Sequence, residues 1–133
     1  MMETPLHFKT ITELAALIKA KTLSPVEVTD AMLTRIQEQD PQYKSYATVI
    51  AEQARASALA AEVAIAAGNY LGSLHGVPIA VKDLCFTKGV ATMGATKALM
   101  GHVPDYHCTV VQKLNAAGAV ILGKLNLTEG AMA

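Results

Sequence analysis

The chain carries the stretch Val-Pro-Ile-Ala-Val-Lys at residues 77–82, between Gly76 and Asp83. Its length, its branched apolar side chains and the turn-forming residues at its ends favour a β-strand. A second apolar run, Ala-Val-Ile-Leu-Gly, occupies residues 119–123 after a segment of helical periodicity. Continuous apolar runs are typical of parallel strands that are buried on both faces. The order strand, helix, strand predicts a βαβ unit and therefore an α/β fold.

The connecting helix of this unit is expected to begin at Asp105 or Tyr106 and to end at Gly118. Its apolar face would consist of Val110, Val111, Leu114 and Ala117, which recur at helical spacing. Residues 126–129 offer a further helix start after the second strand.

The N-terminal half is predicted to be mainly helical. Residues 10–13, Thr-Ile-Thr-Glu, and residues 24–27, Ser-Pro-Val-Glu, both have the capping-box pattern that begins a helix. The second of these helices is expected to end at Asp40-Pro41. A short strand is predicted at residues 46–50.

An alanine-rich segment at residues 51–67 predicts a third helix, which Gly68 would end. These elements divide the chain into an N-terminal helical region, residues 1–70, and the start of an α/β core, residues 71–133. Two or three strands make a small sheet for so much apolar surface, so we expect the natural protein to continue past Ala133.

Composition narrows the classes of function. Of the 133 residues, 52% are hydrophobic and only 17% are charged, with eleven basic residues against eleven acidic ones. Zero net charge argues against direct binding to nucleic acid or to an acidic membrane. The sequence has no membrane-spanning run and no secretory signal, and its two cysteines predict no disulfide framework. We therefore expect a cytoplasmic protein.

Lys82 is the most unusual placement in the sequence, because it ends an apolar strand. An ammonium in a desolvated place loses its proton more easily, so such a lysine can act as a neutral base. The residues alone also allow a lysine that reaches from the strand end into water, or one that pairs with Asp83.

Histidines and cysteines are the other candidates for chemistry. The spacing of His75, His102, His107, Cys85 and Cys108 matches no zinc pattern, so no metal site is expected. His75 is expected to shape the turn into the strand, and Cys85 to be a buried small apolar residue.

Residues 74–83, Leu-His-Gly-Val-Pro-Ile-Ala-Val-Lys-Asp, resemble the lysine-bearing segment of the amidase signature family. Further blocks that are similar to the family follow in the right order, at residues 88–92, 105–118, 119–126 and 128–133. One departure is Leu125, which stands where the family usually has threonine. The chain is thus identified as the N-terminal portion of an amidase signature hydrolase.

The resemblance implies a mixed-sheet fold and a triad of serine, cis-serine and lysine, in which Lys82 is the base. The family's two serines lie in a Gly-Ser-rich stretch that would follow Ala133, so the isolated chain should be inactive. The implied substrate is a small amide, and no cofactor is needed. Other copies of the chain, as in a homo-oligomer, stay possible partners.

Several residues are expected to surround this lysine. Asp83 and Asn126 would support the site by ordering the lysine or the nearby backbone. Gly130, Ala131, Met132 and Ala133, together with residues 93–95, would border the acyl pocket with small side chains.

Two other functions fit the sequence. The A subunit of a tRNA-dependent amidotransferase shares the same core, but it usually has Asp-Glu-Phe-Ala where residues 128–131 read Thr-Glu-Gly-Ala. This difference favours a stand-alone amidase. The second alternative is a non-catalytic helical interaction module.

Overall fold

The structure, a computed structural model, describes residues 4–132. Its helices are α1 (Ile11–Lys19), α2 (Pro25–Tyr43), α3 (Ala51–Ala66) and α4 (Thr109–Ala116). Its strands are β1 (Tyr46–Val49), β2 (Pro78–Lys82) and β3 (Val120–Leu125), and short 3-10 turns occupy Leu6–Phe8, Lys97–Leu99 and Glu129–Ala131. The α/β prediction is confirmed.

The three strands form one mixed sheet in the order β1-β3-β2. β3 lies in the centre, parallel to β2 and antiparallel to β1. Because α4 joins the two parallel strands, the predicted βαβ unit is present. Pro78 begins β2, a strand with only one neighbour among the described residues, where a missing N–H group is tolerated.

The predicted starts of α1 and α2 are confirmed. The Thr10 hydroxyl accepts a hydrogen bond from the Glu13 N–H at 3.2 Å, and the Glu13 carboxylate accepts one from the Thr10 N–H at 2.6 Å. At α2, the Ser24 hydroxyl accepts from two backbone N–H groups, and Pro25 occupies the first turn. These bonds satisfy donors that a helix start leaves without partners.

The predicted end of α2 was wrong, because the helix continues through Pro41 to Tyr43. Pro41 lies in the last turn, where the helix is about to end. The Asp40 carboxylate then accepts from the N–H of Ser45 at 2.7 Å, and Lys44 takes a left-handed conformation. The end is therefore built by the Asp40 side chain and not by the proline.

The predicted start of α4 was also wrong, because the helix begins at Thr109. Tertiary hydrogen bonds hold the residues before it out of the helix. The Cys108 N–H donates to the Phe86 carbonyl at 2.9 Å, and His107 Nδ1 accepts from the Lys88 N–H at 3.0 Å.

The core lies on both faces of β3. On one face, Val120 and Leu122 pack with α2 and α3, and the buried side of α3 is largely alanine, as predicted. On the other face, Ile121 packs with Val81 of β2 and Val111 of α4. A third cluster joins α1 and α2 to Val77. The division into residues 1–70 and 71–133 stays a prediction, since the clusters draw on both parts.

Two glycines, Gly68 and Gly118, follow helix C-caps with positive φ angles of 91° and 76°. A Cβ at Gly68 would meet no atom within 4 Å, whereas at Gly118 it would overlap the His75 ring. Gly68→Ala should cost about 1 kcal/mol from backbone strain alone. Gly118→Ala should cost about 1 to 3 kcal/mol more, because its Cβ would also overlap the buried His75 ring.

Urea denaturation of the two variants measures this difference. Equal losses in the two variants would contradict the close packing of His75 on Gly118.

Candidate active site

Lys82 is the last residue of β2, and its side chain is exposed. Within residues 4–132, its ammonium makes no hydrogen bond or ion pair. Within the described residues, the desolvation suggested by the apolar strand is therefore absent, and Lys82 does not form the pair with Asp83 that the sequence left open as an alternative. The reason is topological, because β2 has no strand on its outer side among the described residues.

Asp83, the next residue, is buried with 4% of its surface exposed. Its backbone N–H donates to the Leu125 carbonyl, and its carbonyl accepts from the Gly94 N–H, both at 2.9 Å. Its carboxylate oxygen Oδ2 accepts from the Met93 N–H at 3.0 Å. Asp83 thus makes hydrogen bonds with the backbone of Leu125, Gly94 and Met93, and its support of the site stays a prediction.

Lys124 is the residue that the sequence reasoning missed. It is completely buried on β3, and its Nζ donates to the Thr92 hydroxyl at 2.7 Å and lies 3.5 Å from Asp83 Oδ1. Burial lowers the pKa of Lys124, while the nearby Asp83 carboxylate acts in the opposite direction. The lysine that pairs with Asp83 is therefore Lys124 and not Lys82.

A register irregularity explains why Lys124 faces Asp83. Ile79 pairs with Ile121 but Val81 pairs with Lys124, so β3 has one more residue than β2 in this interval. Strict alternation along β3 would place Lys124 on the face of Val120 and Leu122. The extra residue moves it to the face that Val81 and Asp83 share.

Gly123 occupies this irregularity. A Cβ there would overlap the carbonyl oxygen of Thr48 on β1, so the position needs a residue without a side chain. A glycine inside an otherwise apolar strand is the one sequence signal that could have indicated the bulge.

The loop at residues 93–95 lies against the end of β2, and the segment after β3 lies against this loop. The Gly94 N–H donates to the Asp83 carbonyl, and the Gly94 carbonyl accepts from the Gly130 N–H at 3.3 Å. Gly130 is therefore in contact with the loop at residues 93–95, and the role of these residues as a pocket border stays a prediction. Gly130, Ala131 and Met132 are exposed, and Ala133 lies outside the described residues.

Asn126 contacts a different loop. Its amide Nδ2 donates to the Lys44 carbonyl at 2.7 Å, and its N–H donates to the Ser45 carbonyl at 2.8 Å. These bonds fix the start of β1 and do not reach residues 93–95. Its support of the site stays a prediction.

His75 is buried in the turn before β2, and its Nδ1 accepts from the Leu71 N–H at 3.1 Å. Burial lowers the pKa of His75 and raises the pKa of the half-buried Cys85 thiol. Between Thr4 and Met132, no group of three or more His, Cys, Asp or Glu side chains is arranged to hold a metal ion. No helix in this range is long and apolar enough to cross a bilayer.

A cavity of about 690 Å³ lies between α3 and the segments that flank α4, with Ser57, His75 and His107 in its wall. None of Lys82, Asp83 and Lys124 lines it. The cavity is thus separate from the cluster of candidate residues.

Comparison with known families gives a match to the family described as Amidase over residues 27–133. A Mycobacterium tuberculosis protein with the name "Putative amidase AmiD" is 53% identical over 121 residues, which cover 91% of this chain and 26% of that protein. The A subunit of the Glutamyl-tRNA(Gln) amidotransferase of Geobacter metallireducens is 51% identical, over 92% of this chain and 25% of that protein. The chain thus spans about a quarter of the length of these relatives.

Solved structures agree with this result. The peptide amidase from Stenotrophomonas maltophilia superposes with a TM-score of 0.87 at 32% sequence identity, covering 94% of this chain and 26% of that one. A bacterial aryl acylamidase of the amidase signature enzymes superposes with a TM-score of 0.86 at 28% identity, covering 96% and 27%.

The two lysines should differ sharply in their effect on stability. Lys124→Met leaves the Asp83 carboxylate buried without a counter-charge, and should lower the free energy of unfolding by about 3 to 5 kcal/mol. Lys82→Met removes an exposed side chain without a partner, and should change it by less than about 0.5 kcal/mol.

Urea denaturation of both variants gives the two free energies. Similar effects from both substitutions would contradict the assignment of Lys124 as the buried, paired lysine.

Proposed function

Because the chain belongs to the amidase family, we propose that it supplies the lysine of an amide hydrolase with a Ser–cis-Ser–Lys triad. Lys82 is the base in this proposal. The observation that carries it is the position of Lys82 within the family-like segment at residues 74–83: it ends a strand, and its ammonium has no partner within the described residues. An ammonium without a partner is available to a hydroxyl group that another part of the protein brings to it.

The reaction follows the logic of an activated nucleophile. Neutral Lys82 takes a proton from the bridging serine, which takes the proton of the nucleophilic serine. That serine's oxygen attacks the amide carbonyl, the C–N bond breaks, and the amine leaves with a proton returned through the same relay. Water then hydrolyses the acyl-enzyme and releases the acid. This scheme uses no metal and no organic cofactor.

We place the two serines in a part of the protein outside these 133 residues. The support is the resemblance at residues 119–133, which in the family leads toward a Gly-Ser-rich stretch, and the length of the relatives, which are about four times as long. Lys82 alone cannot attack an amide, so the proposed activity belongs to the full-length protein.

The surroundings of Lys82 suit a substrate pocket. The loop at residues 93–95 lies beside Asp83 and contacts Gly130, which the exposed Ala131 and Met132 follow, and the side chains of these residues are mostly small. We propose that these residues, with Ala133, border the acyl group of a small linear amide, and that Asp83 and Asn126 support the site. We also propose a cytoplasmic location.

The A subunit of a tRNA-dependent amidotransferase is the second candidate, and the Geobacter relative favours it. In that role the same triad would release ammonia from glutamine inside a complex with partner proteins. Thr-Glu-Gly-Ala at residues 128–131 supports the stand-alone amidase instead. The helical interaction module has no support, since the chain is an α/β member of an enzyme family.

Lys82→Ala in the full-length protein should lower the rate of amide hydrolysis by about 10² to 10⁴-fold, because the serine loses its base. It should also stop labelling by a serine-reactive fluorophosphonate. Hydrolysis of a simple aryl amide and gel fluorescence of the labelled protein measure the two effects.

Lys113→Ala is the matched control, because Lys113 is exposed on α4 and far in the sequence from the site. It should keep both activities. Activity and labelling near wild-type levels in Lys82→Ala would rule out Lys82 as the base.

A separate assay distinguishes the two candidate functions. The purified full-length protein, with no partner protein present, should hydrolyse simple amides. Ammonia release from glutamine that appears only after partner proteins are supplied, without hydrolysis of simple amides, would establish the amidotransferase instead.

A further inference from the structure

A cluster of three buried polar residues, Lys124, Asp83 and Thr92, lies directly behind the end of β2. Lys124 and Thr92 are completely buried, and Asp83 is nearly so. The triad proposed above uses none of the three. A buried ammonium loses its hydration, and its partners here are a single hydroxyl and a single carboxylate.

Such a cluster needs a reason other than stability. A buried ion pair usually stabilises a fold no better than well-packed apolar side chains of the same volume would. The other buried side chains of β3 are apolar, so an apolar residue at position 124 would fit the core without burying a charge. What the ion pair adds is a defined geometry for the groups that it holds.

Asp83 is the residue that these contacts hold most firmly. Four of its atoms have polar neighbours: the N–H, the carbonyl and Oδ2 make hydrogen bonds to Leu125, Gly94 and Met93, and Oδ1 faces Lys124 Nζ. Lys82 is bonded directly to Asp83, so a displacement of Asp83 would displace the Lys82 backbone. Gly94 and Met93 belong to the loop beside Lys82, so the same contacts place that loop.

Thr92 joins Lys124 to the start of this loop. Its hydroxyl accepts from Lys124 Nζ at 2.7 Å and donates to the Val90 carbonyl at 3.1 Å, and both of its hydrogen-bonding roles are thereby used. The Thr92 N–H donates to the His102 carbonyl at 3.0 Å. The loop is thus tied to the sheet through Lys124 and to residue 102 through its backbone.

We propose that Lys124 is a positioning residue for amide hydrolysis. Through its hydrogen bond to Thr92 it fixes residues 92–95 beside the end of β2, so that the Lys82 ammonium reaches the bridging serine. Lys124 itself touches neither substrate nor the reacting atoms. This inference rests on the proposed function, since it assumes that Lys82 is the base.

The test compares Thr92→Val with Thr92→Ser in the full-length protein. Valine keeps the shape of threonine and removes the hydroxyl, whereas serine keeps the hydroxyl and removes only the methyl group. Both are milder than a change at Lys124 and leave the ion pair with Asp83 in place.

The readout is labelling by a fluorophosphonate, in which the serine oxygen displaces fluoride from phosphorus and the serine proton passes toward Lys82. The rate constant of labelling reports on the geometry of the base in folded molecules. The final extent of labelling reports on the fraction of molecules that fold. A purely structural role for the hydroxyl would lower the extent and leave the rate constant unchanged.

Thr92→Val should lower the rate constant about tenfold, as expected for the loss of a hydrogen bond to a charged group, with a full final extent. Thr92→Ser should stay within about twofold of the wild type. An unchanged rate constant in Thr92→Val, whatever the final extent, would overturn the inference. So would an equal fall in both variants, because the hydroxyl would then not be the cause.

Lys82→Ala, run beside these variants, separates this inference from the proposed function. If Lys82→Ala labels normally, the proposed function fails, and the inference fails with it. If Lys82→Ala does not label but Thr92→Val labels at the wild-type rate, only the positioning role of Lys124 fails.

Discussion

The bulge in β3 beside Gly123 places Lys124 in the core against Asp83. No side chain fits there, because a Cβ would overlap the Thr48 carbonyl. The strand takes up one extra residue at this point, and Lys124 consequently faces the side of Val81 and Asp83. With Lys124 beneath it, the Asp83 carboxylate has a counter-charge and can stay buried. The contacts of the buried Asp83 in turn fix the end of β2, including the Lys82 backbone.

The two lysines illustrate how environment separates residues of one type. Lys124 has lost its water and is committed to a hydroxyl and a carboxylate, so it cannot serve a substrate. Lys82 keeps its freedom because it ends the edge strand of the described sheet. The proposed role of Lys82 as a base needs that freedom, because its side chain would have to reach a serine in another part of the protein. The end of β2 thus combines a backbone held by hydrogen bonds with a Lys82 side chain that makes no hydrogen bond or ion pair within the described residues.

Local signals in the sequence were sufficient for the helix caps at Thr10 and Ser24, for the strands and for the βαβ unit, because caps and apolar runs depend on neighbouring residues. The start of α4 could not be predicted in this way, since hydrogen bonds from residues 86–88 hold the chain before Thr109 out of the helix. Lys124 was missed for a similar reason: strict alternation assigns it to the wrong face, and the bulge is visible only in the pairing of β3 with β2. The family-like segment pointed to Lys82 as the proposed base, but the contacts between Asp83, Thr92 and Lys124 became visible only in three dimensions.

A crystal structure of the full-length protein after reaction with a fluorophosphonate would test the separate roles of the two lysines most directly. The account predicts that Lys82 Nζ lies within about 2.6–3.2 Å of a serine oxygen, the range for proton transfer. It also predicts that Lys124 Nζ stays in contact with Thr92 and Asp83. A structure in which Lys124 Nζ contacts the serine while Lys82 points into solvent would contradict the account.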